Sequence, residues 1–213
     1  MALEAVVWDF GGVFTTSPFE AFNRYEAANG IPLDHIRTVN ATNPLDNAWA
    51  LFERAEIDAA GFDRMFAAES RALGQNVRGA DVLPLLSGDV RPAMVAALRA
   101  CKQRFKVGCI TNNVMTGEGA GMASTSAKAA QVAEIMGQFD AVIESSKVGV
   151  RKPDPRIYQM MCELLDVSPA SCIYLDDLGI NCKPAAQLGM VAIKVESEAQ
   201  ALAALAKATG LVF

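Results

Sequence analysis

Apolar and polar positions divide this chain into two regimes. Leu3 to Trp8 is a short apolar run interrupted once, at Glu4, and it ends on Asp9-Phe10-Gly11-Gly12. Such a run reads as a buried strand that stops at a glycine turn and leaves one carboxylate, Asp9, at its end. From residue 17 to about 88 the pattern is helical only. Ser17-Pro18-Phe19-Glu20 combines an N-cap residue, a proline at the first helical position and an acid at N3, and Gly30 and Pro32 stop that helix. Asp46 to Arg54 and Asp58 to Leu73 set Trp49, Leu51, Phe52, Phe62, Met65 and Phe66 at helical spacing, which predicts packing within a helical unit. From Arg91 onward helices and strands alternate. Helices are predicted at 92–103, 125–137, 155–165, 184–188 and 198–208, and strands at 106–110, 141–144, 172–175 and 191–195. The alternation predicts an α/β fold, a Rossmann-like, doubly wound parallel sheet with the helical segment inserted after the first strand. The expected division is a core of residues 1–16 and 89–213 and a helical cap of residues 17–88.

Composition narrows the function class. A chain of 213 residues with 52% hydrophobic and 20% charged residues can bury a sizeable core. No window approaches the roughly 18 apolar residues of a membrane span, and the N-terminus lacks a secretory pattern. Cys101, Cys109, Cys162, Cys172 and Cys182 are odd in number, show no CxxC spacing and lie mostly in apolar segments. They read as reduced core thiols of a cytoplasmic protein. A net charge of −5 without a basic stripe excludes nucleic acid as a partner, no membrane partner is expected, and a homodimer is left open. His35 is the single histidine, which excludes mechanisms built on a histidine base or metal cluster. The glycine-rich segment Thr116 to Gly121 lacks the lysine of a phosphate loop and reads as a surface loop.

Every later strand end carries polar residues. Thr111-Asn112-Asn113 follow one, Ser145 through Lys152 and Pro153 follow the next, and Asp176-Asp177-Leu178-Gly179 follow the third. Each has an ordinary reading alone, as a helix cap, a surface charge or a turn. A parallel sheet brings them to one edge, so a hydroxyl, a cation and paired carboxylates gather beside Asp9, where open α/β sheets bind ligands.

In this order the motifs resemble the haloacid dehalogenase-like superfamily. The matching segments are Asp9-Phe10-Gly11-Gly12-Val13, Thr111-Asn112-Asn113, Val148 to Tyr158, and Tyr174 through Asp176-Asp177 to Met190. The stretch Leu175 to Ala185 is similar to the N-terminal phosphatase domain of soluble epoxide hydrolases and to related acyl-CoA dehydrogenase-fused domains. The resemblance implies a Mg²⁺-dependent phosphohydrolase of a small organic phosphate ester, working through an aspartyl-phosphate. Asp9 would be the nucleophile, and Lys152 would neutralise nucleophile and phosphate. Thr111, Asn112, Gly11 and Lys152 would bind the phosphoryl group. Asp9, the Gly11 carbonyl and Asp177 would hold the metal, with Asp176 supporting them. Asn181 is expected to orient Asp177, and Arg151 to be solvated.

One departure stands out. Typical phosphatases of the superfamily carry Asp two residues after the nucleophile, as general acid and base, and here that position is Gly11. Another group or water then supplies the proton, or the substrate has a good leaving group, or turnover is lost. The alternatives are a dehalogenase-type hydrolase, which the Asp176-Asp177 pair disfavours, and a catalytically weak phospholigand-binding protein. Substrate choice would rest with the helical insertion, which carries no motif. Phe14, Phe19, Phe22 and Trp49 read as packing rather than as a lipid pocket.

Overall fold

Five parallel strands organise the computed structural model, which describes residues 2–114 and 125–213. They are β1 (Ala5–Trp8), β2 (Lys106–Thr111), β3 (Ala141–Glu144), β4 (Cys172–Asp176) and β5 (Val191–Lys194). Their order is β3-β2-β1-β4-β5, so β1 is central, pairing Trp8 with Cys109 on one side and with Leu175 on the other. Both faces of β1 are covered, which is why its sequence is continuously apolar. Val6 and Trp8 join one buried cluster with Phe10, Phe14 and Leu98, while Ala5 and Val7 join another with Tyr158, Met161 and Tyr174.

Between β1 and the next strand lies a helical unit. It comprises α1 (Pro18–Ala28), α2 (His35–Ala41), α3 (Ala48–Glu53), α4 (Ala59–Ala72), α5 (Gly79–Val82) and a 3-10 turn at Leu83–Leu86. The unit has its own aromatic core around Phe62, whose ring lies 4.7 Å from Trp49, 4.9 Å from Phe52 and 5.4 Å from Phe66. Phe22 belongs to this core and Phe14 to that of the sheet. Val114, just beyond β2, is buried in the same cluster, so the unit rests on the carboxyl edge of the sheet. The two crossing segments are tied together. Thr15 bridges Val90, the Thr16 amide donates to the Asp89 carbonyl (2.8 Å), and the Arg91 amide donates to the Phe14 carbonyl (2.8 Å).

The second part of the chain follows the alternation closely. Its helices are α6 (Pro92–Lys102), α7 (Ser126–Met136), α8 (Ser145–Val148), α9 (Pro155–Leu165), α10 (Gly179–Gln187) and α11 (Glu198–Thr209). Four helices depart from expectation. The short helices α2, α5 and α8 were not predicted individually. α10 begins at Gly179 rather than Pro184, because a proline inside a helix removes one amide donor without ending the element when neighbours hold it. All five cysteines are free and buried. No helix among the described residues is long and apolar enough to cross a membrane. The glycine-rich loop at 116–121 lies outside the described residues.

Candidate active site

The parallel register delivers Asp9, Thr111 and Asp176 to one edge of the sheet. Asp9 leaves β1 with its amide bonded to the Leu175 carbonyl at 2.8 Å, and its Oδ1 accepts the Phe10 amide at 2.7 Å. The turn that follows is built by two glycines with different demands. Gly12 has φ +72°, and a Cβ there would stand 2.1 Å from Asp177 Oδ2, so only glycine lets that carboxylate approach. Gly11 has no such constraint, since a Cβ on it would meet nothing within 4 Å.

Lys152 is the centre of the site. Its side chain is 1% exposed, and Nζ lies 2.7 Å from Asp9 Oδ1 and 2.9 Å from Asp176 Oδ2. Burial alone would favour the neutral amine, but Asp176 and Asp9 outweigh it and hold the ammonium charged well above the ordinary lysine range. Asp176 is saturated with donors. Besides Lys152 it accepts from the Tyr174 hydroxyl (2.5 Å), the Leu178 amide (2.8 Å) and Asn181 Nδ2 (3.1 Å to each oxygen). Burial, reinforced by Asp176, keeps the Tyr174 phenol protonated and therefore a donor. Asn181 orients Asp176, not Asp177, a correction that follows from its position within α10, facing back to the end of β4.

Asp177 stands apart, only partly buried and against the Gly12 backbone. Burial and then Asp176 push its carboxyl up to about 6, while Lys152 and Arg91 pull the other way. Burial likewise pushes Asp9 well above the usual carboxylate range, with Lys152 opposing and both neighbouring aspartates adding to the rise. Three carboxylates thus outnumber the Lys152 ammonium and the Arg91 guanidinium, a deficit of positive charge. Asp9, Asp176 and Asp177 can each offer an oxygen, all within 4.8 Å of one another. An all-oxygen set with surplus negative charge suits a hard divalent cation. Because Asp176 is occupied by four donors, Asp9 and Asp177 are the carboxylates free to ligate it.

Thr111 ends β2 with its side chain buried, beside the segment that carries Asp9. Asn112 plays a different part from the one its neighbour suggests. Its Oδ1 accepts the Lys152 amide (2.8 Å), and its Nδ2 donates to the Lys152 carbonyl (3.0 Å) and to Glu53 Oε2 (3.1 Å). Both ends of that side chain are engaged, and it holds the lysine segment. Asn113 ties β2 to β3 through Ser145, Ser146 and Glu144. Arg151 is not solvated. It pairs with Glu53 at 2.6 Å, both side chains being less than a fifth exposed, and donates to the Pro44 carbonyl at 2.9 Å. Glu53 and Tyr174 were missed by sequence reasoning. Tyr174 carried a usable signal, a hydroxyl two residues before Asp176 on the same face of a strand, whereas nothing local marked Glu53.

Known proteins resemble this chain in sequence and in fold. The chain is 30% identical to mouse bifunctional epoxide hydrolase 2 over its whole length and 30% identical to mouse acyl-CoA dehydrogenase family member 10 over 90% of it. It spans only 40% and 18% of those two relatives. Phosphatase MT3486 of Mycobacterium tuberculosis is 31% identical, with 94% of this chain and 90% of that protein covered. Among solved structures, a Bacteroides thetaiotaomicron enzyme in complex with magnesium and inorganic phosphate superposes with a TM-score of 0.60 at 18% identity, covering 92% of this chain and 96% of that one. An L-2-haloacid dehalogenase from Xanthobacter autotrophicus gives 0.62 at 21% identity, covering 97% and 83%. The family model of haloacid dehalogenase-like hydrolases matches residues 3–189, most of the chain and all of the site just described, and the chain belongs to that family.

Proposed function

We propose that this hydrolase is a Mg²⁺-dependent phosphatase of a small organic phosphate ester, with Asp9 as nucleophile and residues 17–88 as a cap over the site. The observation that carries this reading is the buried lysine clamped between Asp9 and Asp176, with Asp177 free beside it. The phosphatase relative and the magnesium and phosphate complex of the Bacteroides enzyme support it. Asp9, the Gly11 carbonyl and Asp177 would hold Mg²⁺, which when bound offsets the repulsion between carboxylate and phosphate.

An Asp9 oxygen attacks phosphorus, and the bond to the leaving oxygen breaks with its electron pair. That oxygen takes a proton from solvent. Water then attacks the phosphorus of the acyl-phosphate, losing a proton to solvent, and the Asp9–phosphorus bond breaks to release phosphate. Lys152 balances charge at Asp9 throughout, and the Thr111 hydroxyl donates to a phosphoryl oxygen. The test is hydrolysis of p-nitrophenyl phosphate with Mg²⁺ or with a chelator. Asp177→Asn should weaken Mg²⁺ binding by at least about 10–100-fold in calorimetry, and unchanged binding would misplace the metal.

The open space at Gly11 makes its chemistry testable. With no acid there the leaving oxygen departs poorly protonated, so the rate should depend steeply on leaving-group pKa and aryl phosphates should outrun alkyl ones. A Cβ at Gly11 would meet nothing within 4 Å, so Gly11→Asp starts from open space. It should raise alkyl phosphate turnover by about 10²-fold, the lower end for a positioned general acid, and flatten the leaving-group dependence. A folded variant with an unchanged slope would mean that the proton already comes from elsewhere. Gly11 also favours a second reading, a phospholigand-binding protein with slow turnover, which the same kinetics identify by Mg²⁺ and phosphate binding without hydrolysis.

A further inference from the structure

Glu53 is the last residue of α3, a place where local electrostatics disfavour an acid, because the exposed carbonyls of a helix C-terminus carry partial negative charge. Its compensation lies in the core. Oε2 accepts from Arg151 Nε at 2.6 Å and from Asn112 Nδ2 at 3.1 Å, residues 98 and 59 positions away in sequence. The Lys152 amide donates to Asn112 Oδ1 and the Lys152 carbonyl accepts one Nδ2 hydrogen, which fixes the orientation of the Asn112 amide. A carboxylate accepts hydrogen bonds, and Glu53 takes the remaining Nδ2 hydrogen. The side chain of the helical unit therefore adds the third bond to an amide that grips the backbone of Lys152 on both sides. Lys152 Nζ is in turn the group clamped to Asp9.

We infer that Glu53 is a positioning residue that couples docking of the helical unit to the placement of Lys152, acting through Asn112 with Arg151 as its counter-charge. The inference rests on the proposed role of Lys152 and on residues 17–88 acting as a cap. With Glu53 withdrawn, Asn112 keeps its two bonds to the Lys152 backbone but loses the third that anchors it to the helical unit, and Arg151, next to Lys152 in the chain, loses its counter-charge, so the lysine segment is fully braced only when the unit is docked. Misplacing a catalytic group by about 1 Å costs on the order of 10²-fold, which sets the scale of the effect.

The test uses the full chain and p-nitrophenyl phosphate with Mg²⁺. Glu53→Ala should lower kcat by about 10–100-fold while KM stays within about 3-fold, since the phosphate ligands are intact. Glu53→Gln, which keeps an oxygen acceptor, should recover most of that loss. Combined with Asn112→Ala, Glu53→Ala should add nothing further, because both act along one path. A wild-type kcat in Glu53→Ala, a loss confined to KM, no recovery in Glu53→Gln, or effects that multiply with Asn112→Ala would each overturn the inference. Proton–nitrogen NMR separates its failure from failure of the phosphatase reading, since it needs no turnover. In Glu53→Ala the Asn112 side-chain amide and Lys152 backbone amide signals should move and exchange faster. Unmoved signals would overturn the inference even if the wild type proves inactive.

Discussion

Asp9→Asn is expected to abolish phosphate ester hydrolysis, lowering kcat by at least about 10³-fold, while leaving the protein folded. The amide keeps an oxygen where Oδ1 accepts from Phe10 and Lys152, both at 2.7 Å, so the local hydrogen bonds survive. Stability adds an independent signature. The Asp9 pKa is raised above 3.8, chiefly by burial, and a group shifted upward contributes stability that is present below its unfolded pKa and lost as pH rises through the folded one. In metal-free buffer, raising the pH through the folded pKa of Asp9 therefore costs stability that a neutral amide does not lose. The variant should melt no lower than the wild type above that pKa, and adding Mg²⁺ should stabilise the wild type alone. Steady-state kinetics and melts with and without Mg²⁺ check both halves. Hydrolysis within tenfold of wild type would remove Asp9 from the mechanism.

Gly12→Ala carries the second large effect. Its Cβ would stand 2.1 Å from Asp177 Oδ2, on a backbone with φ +72°. The left-handed conformation costs an L-residue about 1–2 kcal/mol, and the collision adds displacement of the Asp177 carboxylate. Mg²⁺ affinity should fall by about 10–100-fold in calorimetry, and kcat/KM by about 10²-fold. Gly11→Ala, one residue earlier, should change neither, because nothing occupies the space its Cβ would take. Equal behaviour of the two alanine variants would contradict this placement of Asp177.

What sequence reasoning could see depended on how local each cause was. β1 was legible because a strand buried on both faces must be apolar at every position, and its glycines mark the turn. α9 was legible because Asp154 caps it and Pro155 opens it, all within neighbouring residues. α2 was hidden. Its starting amides are capped by Glu26, whose carboxylate reaches the Asp34 and Ile36 amides from eight and ten residues upstream, both at 2.8 Å. α10 was shortened because Pro184 looked like a beginning, although the element starts at Gly179. The gathering of Asp9, Lys152, Asp176 and Asp177 was legible because parallel strand ends converge on one edge. The partners were harder. That Asn181 serves Asp176, that the Asn112 side chain serves Lys152, and that Arg151 meets Glu53 depend on side-chain directions across elements, which spacing does not encode.

Phosphate is expected to pass through a covalent bond to Asp9. Rapid acid quench of the wild type with Mg²⁺ and a radiolabelled aryl phosphate, followed by peptide mapping, tests it most directly. Protein-bound label should form before phosphate appears, be cleaved by hydroxylamine as an acyl-phosphate is, and map to the peptide containing Asp9. Phosphate released from the first turnover with the protein unlabelled throughout, or label mapping to another residue, would contradict it.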